Sequence, residues 1–164
     1  MQEKLLSFRD KVKVMTPNRD VIGYFEGKII KIGNTYRLRD LQEVPLLTVH
    51  EKVISMRSTY KFYKGGEEDE DKLIGQLKRK LVAVKPSYWF EDKNEEKKFT
   101  MKGNIWTLKY RILYEGDEVA EINKKLFKIK GTYGVKIKQN IDDEMVPLIL
   151  GIVIMLHHEK EENR

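Results

Sequence analysis

The amino-acid sequence predicts one mainly β domain, residues 1–164, that closes into a barrel around its own apolar C-terminal helix. Three observations carry this expectation: a gapless hairpin-like repeat that occurs four times, a correspondence between the two halves of the chain, and a 12-residue apolar run near the C-terminus. A chain of 164 residues is about one domain's worth and can bury a substantial single core.

The repeat is found by aligning segments on Tyr36, Tyr60, Tyr88 and Tyr133. Eight positions before each tyrosine stands a lysine (Lys28, Lys52, Lys80, Lys125), and immediately before it a Ser or Thr. Positions −11, −7, −6, −4 and +2 are always apolar. Apolar residues two apart mark one face of a strand, and the polar break before the tyrosine reads as a turn, so each unit is a β-hairpin. The tyrosines lie 24, 28 and 45 residues apart, which argues against a solenoid and for a meander with one extra hairpin in the long gap. That hairpin is Lys97 to Tyr114, with its turn expected at Gly103-Asn104.

The halves also correspond. Lys11-Val12-Lys13-Val14, followed by Asp20 to Phe25, parallels Lys109-Tyr110-Arg111-Ile112, followed by Glu118 to Ile122. Both enter a repeat unit through a tight acidic turn, Asn18-Arg19-Asp20 and Glu115-Gly116-Asp117. Strands expected over about 8–140 number roughly ten to twelve, more than an open twisted sheet carries comfortably, which points to closure or a sandwich.

A helix is expected over about 142–158. Asp142 and Asp143 offer N-cap carboxylates, and Pro147 is tolerated in the first turn. Met145 to Leu156 is apolar at all but Pro147 and Gly151 and has no polar face, so it must be buried in protein or lipid. At about 1.5 Å per residue the run is too short for a bilayer core of about 30 Å, and the charged residues from Glu159 onward disfavour lipid. The helix is therefore expected as the plug of the barrel, with no transmembrane segment.

Charge is segregated within a formal net +6. Residues 1–64 carry 13 basic and 7 acidic side chains and residues 72–141 carry 17 and 8, whereas the loop 65–71 holds five acids in succession. A basic surface concentrates anionic partners, phospholipid headgroups or nucleic acid, although abundant lysine also solubilises a β-rich surface. Two units enlarge their lysine into clusters. Lys78, Arg79 and Lys80, and Lys124, Lys125 and Lys128, are the candidate ligand-binding residues, able to meet phosphates as point charges. The competing reading is that a lysine ending a strand protects an edge. Lys28 and Lys52 are weaker candidates because Glu26 and Glu51 stand beside them.

Catalytic and metal templates do not fit. The chain has no cysteine, which excludes disulfides, thiolate zinc sites and cysteine nucleophiles and suits a reducing cytoplasm. Its N-terminal residues lack the pattern of a secretory signal. Neither Gly-x-Ser-x-Gly, a Walker loop nor Gly-x-Gly-x-x-Gly occurs. His157 and His158 are adjacent rather than i, i+4 and suit a helix terminus better than a metal. His50 and Glu51 face opposite sides of a strand, and the acids 67–71 lack EF-hand spacing and read as a solvated loop. The repeat tyrosines read as packing residues beside turns, not as a platform gathered on one face. No enzyme activity, metal or cofactor is expected.

The segments Leu6 to Lys11 and Gly23-Tyr24-Phe25-Glu26-Gly27-Lys28, the repeated hairpins, and the Asp142-Asp143 helix resemble the LURP-one-related proteins of the tubby-like superfamily, from about Leu5 to Leu156. The resemblance implies an antiparallel barrel of twelve strands threaded by the hydrophobic helix. Tubby proteins bind phosphoinositides with this fold, and phospholipid scramblases are relatives. The expected function is a non-enzymatic binding or scaffold module for anionic lipid headgroups, in the cytoplasm or at the membrane periphery. A protein-interaction domain is the alternative. A nucleic-acid binder ranks lower, for want of a recognition helix or clustered aromatics.

Overall fold

The structure, a computed structural model, describes residues 2–8, 12–18, 20–30, 33–54, 57–80, 87–123 and 132–162. It is mainly β with one C-terminal helix. The strands are β1 (Gln2–Phe8), β2 (Val12–Met15), β3 (Val21–Ile30), β4 (Gly33–Asp40), β5 (Pro45–Ile54), β6 (Arg57–Lys64), β7 (Leu73–Arg79), β8 (Tyr88–Asp92), β9 (Lys97–Asn104), β10 (Lys109–Tyr114), β11 (Asp117–Asn123) and β12 (Thr132–Ile137); helix α1 is Met145–Glu162. Strands neighbouring in sequence pair antiparallel throughout. Strand β1 pairs with β12 as well as with β2, so the pairings return to their starting strand in the order of a closed barrel.

The repeat and the hairpins coincide. In every unit the apolar residue at −11 pairs with the one at +2: Phe25 with Leu38, Val49 with Phe62, Leu77 with Phe90, and Ile122 with Val135. All eight are buried, so one sequence pattern builds the same inward-facing cross-strand pair four times. The two halves share a further detail. A register irregularity falls after Val14 in the β2–β3 ladder and after Ile112 in the β10–β11 ladder, at positions that correspond in the sequence.

Three expectations are corrected. Strand structure begins at Gln2, because β1 is held between β12 and β2. The β9–β10 turn lies at Ile105 to Leu108 instead of Gly103-Asn104. Asn104 Oδ1 accepts from the Thr107 amide, and both Ile105 and Leu108 are buried, which draws the reversal beyond the glycine. The helix spans 145–162, not 142–158: the backbone carbonyls of Asp142 and Asp143 accept from Met145 and Val146, and Glu159 continues the helix because it has buried partners.

From Leu148 to Leu156 every residue of α1 is buried. Nine residues make about two and a half helical turns, so burial reaches all faces and the surrounding strands must enclose the helix. Among the described residues no helix is long and apolar enough to cross a membrane.

Candidate functional site

The antiparallel order gives the barrel two unlike ends. Helix α1 starts at the end that receives β12 and finishes at the end holding the β5–β6, β7–β8 and β9–β10 connections. Three repeat tyrosines converge on its last turns. Tyr60 donates to Glu159 Oε1 at 2.6 Å and Tyr88 to Oε2 at 3.0 Å, while the Tyr36 hydroxyl lies 3.1 Å from His158 Nε2. The Arg79 guanidinium stands 3.7 Å from Glu159 and over the Tyr88 ring at 5.9 Å. Glu51 Oε2 accepts from Asn34 at 2.9 Å and lies 3.8 Å from His158 Nε2. Burial, then the charge of Glu159, pushes the Tyr88 hydroxyl well above its ordinary pKa.

Tyr60 and Tyr88 are buried packing residues, as expected of the repeat tyrosines, but the expectation that these tyrosines are not gathered together is corrected, since three of them meet at the helix end. The signal was present in the sequence. Tyrosine and the buried +2 residue are two apart on a strand and therefore share its inward face. His157 and His158 likewise do not end the helix, which runs one turn further. With Glu51 and Glu159 only 3% and 4% exposed, the cluster anchors the helix in the wall instead of presenting acid and base groups to solvent. Among the described residues no group of three or more metal-ligating side chains is gathered.

The candidate basic residues divide between faces. Lys78 points outward and is paired with Glu91 at 2.6 Å, and Glu91 also accepts from Trp89 Nε1 at 3.1 Å. Arg79 turns inward to Glu159, as alternation along β7 requires. Lys80 is exposed, with its backbone amide bonded to Ser87. Lys124, Lys125 and Lys128 lie outside the described residues, between Asn123 and Thr132.

Other exposed lysines accompany Lys80: Lys52, the weaker candidate of its repeat unit, and two that the sequence did not single out, Lys102 and Lys109. Lys52 on β5, Lys102 on β9 and Lys109 on β10 sit near the same barrel end, and among the described residues none of the four has a carboxylate partner. They occur on an arc of consecutive neighbours from β10 to β5, about half of the circumference. Glu161 is exposed on the helix at that end.

Three lysines at the opposite end are ion-paired. Lys64 bonds Glu144 at 2.9 Å, and Lys72 lies 3.8 Å from Glu67. Lys98 contacts Glu115 and Glu96 at 3.0 and 3.1 Å, and those hydrogen bonds raise its pKa. The acidic segment 67–71 packs back instead of remaining fully solvated: Glu68 accepts from Thr35 at 2.9 Å and lies 3.3 Å from His50.

A family model described as LURP-one-related matches residues 1–157. The chain is similar to the uncharacterized protein YxjI of Bacillus subtilis, at 21% identity over 99% of this chain and 96% of that protein. It is also similar to Protein LURP-one-related 15 of Arabidopsis thaliana, at 24% identity over 98% of this chain and 79% of that protein. An X-ray structure of an Arabidopsis thaliana protein superposes with a TM-score of 0.70 over 95% of this chain and 91% of that chain; at 14% identity it supports the fold alone.

Proposed function

The chain belongs to the LURP-one-related family, and from that footing we propose that it is a non-catalytic binding module that recognises anionic phospholipid headgroups through one end of its barrel. The reading places it in the cytoplasm at the membrane periphery. One observation supports it most: Lys52, Lys80, Lys102 and Lys109, none with a carboxylate partner among the described residues, form an arc at the end where the helix finishes, while Lys64, Lys72 and Lys98 at the other end are paired with acids. Each lysine near an anionic bilayer contributes about 1 kcal/mol, so four would hold the domain measurably at low ionic strength and release it as salt screens them. Lys124, Lys125 and Lys128 extend the reading as further contributors.

The test is co-sedimentation with neutral vesicles and with phosphoinositide-containing vesicles at low and high salt. Alanine at Lys80, Lys102 and Lys109 should abolish the anion-dependent fraction, as should alanine at Lys124, Lys125 and Lys128, while Lys64→Ala with Lys72→Ala should not. Arg79 is left intact, because its contact with Glu159 would confound binding with stability. Equal sedimentation with both vesicle types, or none with either, would overturn the proposal.

A further inference from the structure

At the barrel end away from the lysine arc, a cavity of about 250 Å³ opens between the first turns of α1 and the wall. Its apolar lining comes from Val14 and Leu38 on the strands and from Val146, Pro147 and Leu150 on the helix. Two cations also line it. Lys4 shares the inward face of β1 with the buried Leu6, two residues on, and has no carboxylate partner among the described residues. Arg39 is tethered through Nη1 to the Glu43 carbonyl at 3.0 Å. Asp143 is the single acid of the lining, which leaves one positive charge in excess. The β4–β5 connection carries Leu41 and Val44 at 51% and 50% exposure, and Leu46 at the start of β5, 39% exposed, lines the cavity.

An apolar chamber with cations at its edge suits a molecule that is apolar at one end and anionic at the other. We propose that this cavity binds a single-chain anionic amphiphile, a fatty carboxylate or alkyl phosphate, with its head near Lys4 and Arg39 and its chain on Val14, Leu38 and Leu150. The volume lies below the roughly 300–1,000 Å³ of drug-sized pockets, so it takes one short chain and not a diacyl lipid. Exposed Leu46 continues the apolar lining to solvent. This site is independent of the lysine arc.

The experiment titrates the full chain with monomeric octyl phosphate and with 1-octanol, read by calorimetry and by the methyl NMR signals of Val14, Leu38 and Leu150. Octyl phosphate should saturate one site about tenfold more tightly than octanol, the size of one charge-assisted hydrogen bond. Lys4→Gln should erase that preference. Val146→Trp should block both ligands; if it fails to fold, Lys4→Gln still decides. A parallel arm uses vesicles of phosphatidylcholine with and without phosphatidylglycerol. Shifts at the same methyls with monomer assign a free single-chain amphiphile, and shifts only with anionic vesicles would overturn it in favour of a bilayer lipid. Unshifted methyls in both arms, or octanol binding as tightly as octyl phosphate, would overturn the proposal.

Discussion

The Tyr60 hydroxyl donates to Glu159 Oε1 at 2.6 Å across 99 residues of sequence, and both side chains are buried. The contact fixes the end of the helix to β6, and Tyr88 repeats it from β8 on the second carboxylate oxygen. A hydrogen bond to a charged group contributes about 1.5–3 kcal/mol. Tyr60→Phe and Tyr88→Phe should each lower stability by that order, and the double variant should depart from the sum because both partners share one carboxylate. Urea midpoints with unchanged slopes would measure it. Losses under about 0.5 kcal/mol for both single variants would refute an anchoring role.

Gly151 lies close against the wall. A Cβ there would lie 2.5 Å from Leu47 Cδ2 and 3.0 Å from Phe62 Cε1. Alanine gains about 1 kcal/mol of helix propensity but must displace the tip of Leu47, so Gly151→Ala should come out near neutral. Leucine has no such room. Gly151→Leu should destabilise by about 1–3 kcal/mol or prevent folding, as overpacking does; a thermal melt comparing the two checks it, and a stable leucine variant would contradict enclosure of the helix at this level.

Much of the fold was legible because period-2 patterning and the repeat agree. The residues at −11 and +2 were marked as apolar, and they form the same buried pair in all four units. The plug was legible because an apolar run without a polar face has few places to go. Less accessible was the polar cluster, since Glu159 looks like tail charge until Tyr60, Tyr88 and Arg79 surround it. The division of Lys78 from Arg79 follows from strand alternation, but only once β7 is known to reach Arg79. Lys102 and Lys109 carry no local signal; ring topology brings them near Lys80.

Gly103 supplies a sharper check on the β9–β10 hairpin. Its φ is 122°, and a Cβ would stand 2.6 Å from the Lys109 carbonyl oxygen, backbone that cannot yield. Gly103→Ala should therefore cost about 1–3 kcal/mol. Asn104→Ala removes the side-chain cap on Thr107 and should cost about 0.5–1.5 kcal/mol. Chemical denaturation of both variants would rank them, and a Gly103→Ala loss under about 0.5 kcal/mol would contradict the close approach of Gly103 to the Lys109 carbonyl.

Alkali should unfold the barrel through its tyrosines. Burial foremost, then the charges of Glu70 and Glu68, pushes Tyr63 up from 10.0 to about 12. Tyr88 and Tyr110 are raised by burial as well, and the Tyr110 hydroxyl has no hydrogen-bond partner among the described residues. A group whose folded pKa exceeds its unfolded value keeps its full stabilising contribution below the unfolded pKa. That contribution declines as pH rises through the folded value, because the unfolded chain has lost a proton that the native one retains. For Tyr63 the window runs from about pH 10 to about pH 12. Stability should fall steadily across it, and the late part of the tyrosinate absorbance should appear together with loss of the β-sheet circular dichroism signal. Tyr63→Phe should flatten the decline in this window. Complete tyrosine ionisation with the circular dichroism intact would show that these hydroxyls are not held in the protected sites described.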